Sequence, residues 1–120
     1  MKIYVAHSSE FDFDVKLYKP LRESALNDEH EIHLPQENGK ETITKELIQS
    51  SDVIICDVSK PSTGAGIEMG WANAFGIPVI CICEKGSKVS SATSYVCAKV
   101  LEYEETDDLI EKLTSALENL

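Results

Sequence analysis

Apolar and polar positions fall in blocks along this chain, and the period within each block names an element. Lys2-Ile-Tyr-Val-Ala6 is a short run of β-formers and reads as a buried strand. Phe13, Leu17, Leu21 and Ala25 then recur every four residues, which is helical spacing, with Pro20 set to kink or restart that helix. Glu31-Ile-His-Leu34 reads as a weaker strand closed by Pro35, and Ile43, Leu47 and Ile48 mark one face of a helix over residues 40–50. Asp52-Val-Ile-Ile-Cys-Asp-Val58 is nearly all apolar, as a central strand covered on both faces must be. A loop from Ser59 to Thr63 leads into a helix from about Gly64 to Phe75, which Gly76 ends. Ile77 to Cys83 is a fourth strand, residues 88–94 are a candidate short helix, and Tyr95 to Leu101 holds a fifth strand. Leu109, Leu113, Leu117 and Leu120 give the last helix its stripe.

Strands alternating with helices predict an α/β fold, a flavodoxin-like three-layer sandwich with a five-stranded parallel sheet in the order 2-1-3-4-5. At 120 residues one domain spanning 1–120 is expected. In such a sheet the ligand crevice lies beyond the carboxyl ends of strands 1 and 3, where the strand order reverses. That rule singles out His7 to Asp12, Pro35 to Gly39, and Ser59 to Glu68.

Charge narrows the partners. A net charge of −10 argues against nucleic acid as a macromolecular partner, because backbone phosphates demand clustered Lys and Arg. A small phosphorylated ligand needs only a few local donors and remains compatible. Residues 101–120 carry seven acids against Lys112 alone, the pattern of a solvated helix face. Cys56, Cys81, Cys83 and Cys97 each lie in an apolar run and form no CxxC pair, so buried free thiols in a reducing cytosol are expected. The chain enters a strand at once, without a signal-peptide core, and its longest apolar stretch is too short to span a bilayer. A cytoplasmic location without membrane partners is therefore expected.

The segment from Asp57 to Ala72 carries the chemistry. Pro61 and the Ser62-Thr63 pair break the strand, and Gly64 and Gly66 let the backbone turn tightly into a helix. Their missing side chains leave the first helical N–H groups open to an anion. Glu68 is the odd residue of a small, apolar helix start, where the dipole keeps a carboxylate ionised. It either complements the helix N-terminus or faces the crevice and attacks an electron-poor carbon such as an anomeric centre. Gly64-x-Gly66-x-x-x-Gly70, with Glu84 one strand later, is a relaxed dinucleotide pattern, but a five-residue loop precedes it and no second mononucleotide half follows. No Gly-Lys-Ser/Thr makes it a Walker loop.

The run from Ser51 to Ile80, with Pro61-Ser-Thr-Gly-Ala-Gly-Ile-Glu-Met-Gly70 at its centre, resembles the core of the nucleoside 2-deoxyribosyltransferase family. It is most similar to the branch of 2'-deoxynucleoside 5'-phosphate N-hydrolases. The resemblance implies that Glu68 attacks C1' of a nucleoside and expels the base, leaving a covalent glycosyl ester for water or a second base to resolve. It implies that Ser62 contacts a 5'-phosphate, a role compatible with capping the helix. Ser91 matches a second phosphate-contacting Ser, which that branch takes from a neighbouring subunit, and Tyr4 matches an aromatic residue of the first strand. Gln36 can read a base edge through its paired donor and acceptor, or is an exposed loop polar residue. Asp57, Gly64 and Gly66 complete the expected substrate-binding set. The family habit of sharing sites implies a homodimer or larger assembly, Trp71 and the small residues of its helix suit a buried or dimer-facing surface, and no cofactor or metal is expected.

Two departures stand out. The family places an Asp eight residues before the strand-opening Asp52, and here that position is Thr44; Glu41 and Glu46 lack the spacing. The first loop, His7-Ser-Ser-Glu-Phe11, has no Arg where the hydrolase branch has one, which leaves His7 to supply a proton to the leaving base or to sit as an ordinary loop residue. Val5-Ala-His-Ser-Ser9 also resembles the opening of Toll/interleukin-receptor domains, some of which cleave a nicotinamide glycoside with a Glu. The alternatives to an N-glycosidase are therefore a nucleotide-binding module without catalysis and a Toll-like signalling or NAD-cleaving domain.

Overall fold

Strands form at Lys2–Ala6 (β1), Glu31–His33 (β2), Val53–Asp57 (β3), Val79–Glu84 (β4) and Val100–Tyr103 (β5) in the computed structural model, which describes residues 1–120. All pairings are parallel and the order is β2-β1-β3-β4-β5, as the alternation predicts. All five residues of β3 are buried, as its nearly all-apolar sequence requires of a strand covered on both faces. Successive side chains point to opposite faces. Ile3, Val5, Ile55 and Ile82 enter one core with Leu17, Leu21, Leu109 and Leu113. Tyr4, Ala6, Ile54 and Cys56 enter a second core with Ile48, Ala65, Met69 and Ala72. That alternation puts Tyr4 under the glycine-rich helix.

The helices are Lys19–Glu23 (α1), Leu26–Glu29 (α2), Lys45–Gln49 (α3), Thr63–Ala74 (α4) and Thr106–Glu118 (α5). The expected helix over residues 13–25 is interrupted. A π-helical turn, Asp14–Tyr18, leads into α1, with Pro20 in its first turn. Ser24 is extended and its hydroxyl donates to the Leu21 carbonyl at 2.8 Å, closing α1. The expected helix over 40–50 begins only at Lys45, because the Thr44 hydroxyl accepts from the Leu47 N–H at 3.3 Å as its N-cap. Gly76, at φ +73°, ends α4 as expected. No helix is long and apolar enough to cross a membrane.

Two expectations fail near the fifth strand. Tyr95 to Lys99 is not strand: Ser91–Tyr95 forms a 3-10 turn, and the N–H groups of Val96 and Cys97 both bond the Thr93 carbonyl rather than β4. That turn carries Cys97 back over β4, where it forms a disulfide with Cys81, their Cα atoms 6.4 Å apart. The expectation of four free thiols therefore holds only for Cys56 and Cys83, both buried.

Candidate active site

The start of α4 builds an anion-compatible mouth. Ser62 is extended, and its hydroxyl accepts from the Ala65 N–H at 3.2 Å while its carbonyl accepts from Gly66 at 3.0 Å. The N–H groups of Thr63 and Gly64 donate to no protein acceptor. Neither Gly64 nor Gly66 has a positive φ, so the turn into the helix does not itself demand glycine. What the glycines supply is room. A Cβ at Gly66 would meet nothing within 4 Å, and one at Gly64 only the Ser62 hydroxyl at 3.9 Å. A cavity of about 500 Å³ opens between this helix start and the Ser91–Tyr95 turn, with Asp57, Ser62, Gly66, Ser90 and Thr93 in its wall.

Glu68 lies in the second turn of α4, on the other flank. At about 100° per residue, Ala65, Met69 and Ala72 face the sheet, Ser62 and Gly66 lie to one side and Glu68 to the other. Its half-buried carboxylate accepts from the hydroxyl of Tyr4 on β1 and makes no ion pair. Burial raises the proton affinity of Glu68, and the Tyr4 hydrogen bond opposes that rise. Burial thus works against the ionisation that a helix start was expected to favour. The same burial, with Glu68 beside it, holds the Tyr4 phenol well above its ordinary range.

On the far side of Tyr4 stands His33, its neighbour across the β1–β2 register. The two rings stack, centroids 5.6 Å apart and 19° from parallel. His33 Nε2 is bonded to the carboxylate of Glu41. Four side chains from β1, β2, α4 and the 40–44 loop thus line up as Glu68, Tyr4, His33, Glu41. Sequence spacing hid His33, because which residue of one strand lies beside which of another is set by register.

Other anticipated site residues sit elsewhere. His7 is buried, with Nδ1 on the Ser8 carbonyl at 2.9 Å and Nε2 on the Tyr18 hydroxyl at 2.6 Å, and burial lowers its proton affinity. Both nitrogens are engaged within the protein, so His7 braces the first loop. Tyr18 in turn accepts from the Gln36 N–H at 3.1 Å. The Gln36 side chain donates to Ser9 at 3.1 Å, and Arg22 grips Glu37 through two bonds of 2.8 Å, so the 35–37 segment is tied down beside the crevice. Asp57 is buried and its carboxylate is spent internally, accepting from Tyr103 at 2.5 Å and from the Ser59 N–H at 2.9 Å. Burial raises its proton affinity against those two donors. Ser91 is exposed and outside the cavity wall, where Ser90 and Thr93 stand instead. No three His, Cys, Asp or Glu side chains gather as a metal site.

The profile of the nucleoside 2-deoxyribosyltransferase family matches residues 3–116. The chain belongs to that family. The match reaches from β1 through most of α5, so it takes in both flanks of α4. Among curated relatives, 5-hydroxymethyl-dUMP N-hydrolase of Rattus norvegicus is 30% identical over 81 residues, covering 68% of this chain and 42% of that protein. A putative 2'-deoxynucleoside 5'-phosphate N-hydrolase of Thermofilum pendens is 32% identical over 76 residues, 59% of this chain and 53% of that one. The chain thus spans about half the length of the curated relatives it matches. Of solved structures, a Clostridium botulinum CMP N-glycosidase superposes with TM-score 0.68 at 18% identity, over 97% of this chain and 99% of that one. A conserved protein from Enterococcus faecalis gives TM-score 0.66 at 18% identity, over 97% and 98%. At such identities the likeness is one of fold.

Proposed function

We propose that this family member cleaves the N-glycosidic bond of a nucleoside 5'-monophosphate, with Glu68 as the nucleophile. The observation that carries the reading is the Tyr4–Glu68 pair: a half-buried carboxylate held by a neutral donor, with no cation to neutralise it. The 2'-deoxynucleoside 5'-phosphate and 5-hydroxymethyl-dUMP substrates named for the curated relatives support the substrate class.

In this reading a Glu68 oxygen attacks C1' as the C1'–N bond breaks and the base departs. The glycosyl ester then passes to water or to a second base, following the two-step course of retaining glycosidases. Tyr4 holds one carboxylate oxygen so that the other faces the sugar. The free N–H groups of Thr63 and Gly64, with the Ser62 hydroxyl, receive the 5'-phosphate. Gly64 lies about 6 Å along the axis from Glu68, a span of the order that separates phosphate from C1' in one nucleotide. Residues 1–120 act as one domain in a homo-oligomer, where the exposed Ser91 is free to reach a neighbour's phosphate.

Incubation with deoxynucleosides, deoxynucleoside monophosphates, CMP and NAD, followed by chromatography for released base, tests this. Base released from a monophosphate by the wild type, and lost in Glu68→Ala, is expected. A Glu68→Ala protein active at the wild-type rate would overturn the nucleophile. Thr44, spent on capping α3 where the family has an Asp, favours a second reading, a nucleotide-binding module without catalysis. That reading wins if no substrate releases base while a monophosphate raises the melting temperature.

A further inference from the structure

A glycosidase of this kind needs a proton for the departing base, and the position that resemblance reserves for an acid is filled by the capping Thr44. His7, the obvious replacement, has both nitrogens engaged inside the protein. Glu46 is exposed in the first turn of α3 and joins no bond to Tyr4, Glu68 or His33. His33 is different. It stands against the Tyr4 ring, half exposed, with Nε2 bonded to Glu41 and Nδ1 without a protein partner.

Resting on the Glu68 reading, we infer that His33, oriented by Glu41, is the general acid and base of this site, standing in for the missing family carboxylate. Its proton moves at Nδ1. As a Glu68 oxygen bonds C1' and the C1'–N bond breaks, the electron pair goes to the base nitrogen, which takes the Nδ1 proton of the imidazolium. Neutral His33 then accepts a proton at Nδ1 from the water that attacks C1', and the ester electrons return to Glu68 as carboxylate. Water is consumed, and free base and sugar phosphate are released. Glu41 is a positioning residue: its carboxylate fixes the ring from the Nε2 side and leaves Nδ1 without a protein partner. The Tyr4 phenol sits between acid and nucleophile as a spacer, stacked on one and bonded to the other.

The test compares two leaving groups, in wild type, His33→Gln, Glu41→Gln and Glu68→Ala. One substrate is the deoxynucleoside monophosphate that the wild type cleaves fastest. The other is 4-nitrophenyl 2-deoxyribofuranoside 5-phosphate, whose aryloxide leaves without a proton. In kcat/KM, which reports steps only as far as the glycosyl ester and so isolates the acid role, His33→Gln is expected to lose about 10²-fold or more on the nucleotide. On the aryl glycoside its kcat/KM is expected to stay within about threefold of wild type, while kcat falls because the base is missing in the second step. Glu41→Gln is expected to show the same pattern, smaller. Glu68→Ala is expected to lose both substrates. Equal losses of kcat/KM on both substrates in His33→Gln, or no loss on either while Glu68→Ala is dead, would overturn the role of His33 alone. Full activity of Glu68→Ala on both would overturn the nucleophile reading and this assignment with it. Should His33→Gln fail to fold, Glu41→Gln, a loop substitution, carries the same comparison, and equal losses on both substrates or none on either again remove His33 from the role.

Discussion

The hydroxyl of Tyr4 donates to the carboxylate of Glu68 across the seam between β1 and α4, and the two groups set each other's protonation. Burial pushes both upward; the bond between them then draws Glu68 down and drives Tyr4 higher. Tyr4 is therefore a permanent donor, and Glu68 is a carboxylate whose ionisation depends on one neighbour.

Tyr4→Phe removes that neighbour's hydroxyl and leaves burial unopposed. The proton affinity of Glu68 then rises further, so the rising limb of the pH–rate profile moves to higher pH. A hydrogen bond to a charged group contributes about 1.5–3 kcal/mol, so activity on the acid side of the profile should fall by about 10- to 100-fold. A profile in Tyr4→Phe that overlays the wild type would contradict this.

Stability should respond with the opposite sign from most carboxylates. Because the folded-state pKa of Glu68 is raised, its contribution to stability is fully present below the ordinary carboxylate range. It is lost as pH rises through the raised value, and Asp57 acts in the same direction. Glu68→Gln keeps an acceptor for Tyr4 and removes the buried charge, so it should stabilise the fold at neutral pH by on the order of 1 kcal/mol. Thermal melts at pH 5 and pH 8 check it: the gain should appear at the higher pH and shrink at the lower.

The first four strands and the sheet order were legible because apolar blocks of two periods alternate along the chain, and β3 in particular is nearly all apolar. The fifth strand lies further on than the apolar run from Tyr95 suggested. Glu68 was legible as a lone acid in a glycine-rich helix start. What the chain did not disclose were relationships between strands and turns. His33 beside Tyr4 depends on the β1–β2 register, and Asp57 against Tyr103 brings together the ends of β3 and β5, two places apart in the sheet. His7 looked like an open loop histidine because nothing local shows that the π-helical turn brings Phe13 and Tyr18 around it, ring centroids at 4.4 and 5.2 Å. The short tracts around Ser24 and Thr44 failed as continuous helices because each hydroxyl bonds the backbone locally and sets an end.

Ser62 separates a structural from a ligand role. Ser62→Ala loses the cap of α4 and should cost about 0.5–2 kcal/mol, seen as a lower melting temperature. Ser62→Asp keeps a capping oxygen and favours the helix N-terminus electrostatically, yet places negative charge in the cavity wall beside Gly66. It should melt near the wild type while KM for a 5'-monophosphate rises about tenfold or more, a loss of about 1.4 kcal/mol, and KM for the unphosphorylated nucleoside stays put. A parallel rise for both substrates would mean that no phosphate is read there.

Cys81 and Cys97 offer the last prediction. Their bond closes a loop across a sequence separation of 16 and ties the Ser91–Tyr95 turn, one wall of the cavity, to β4. Few other contacts serve that purpose: Tyr95 is 85% exposed, and Ser91, Ala92 and Ser94 are exposed as well, leaving Thr93 and Cys97 as the buried anchors. By loop entropy a cross-link of this length contributes about 3 kcal/mol at 25 °C. Reduction, or Cys97→Ser, should therefore lower the urea midpoint, and amide exchange should quicken first over residues 90–99 while β3 stays protected. Uniform loss of protection across the sheet would mean instead that this bond holds up the whole fold rather than one wall of the cavity.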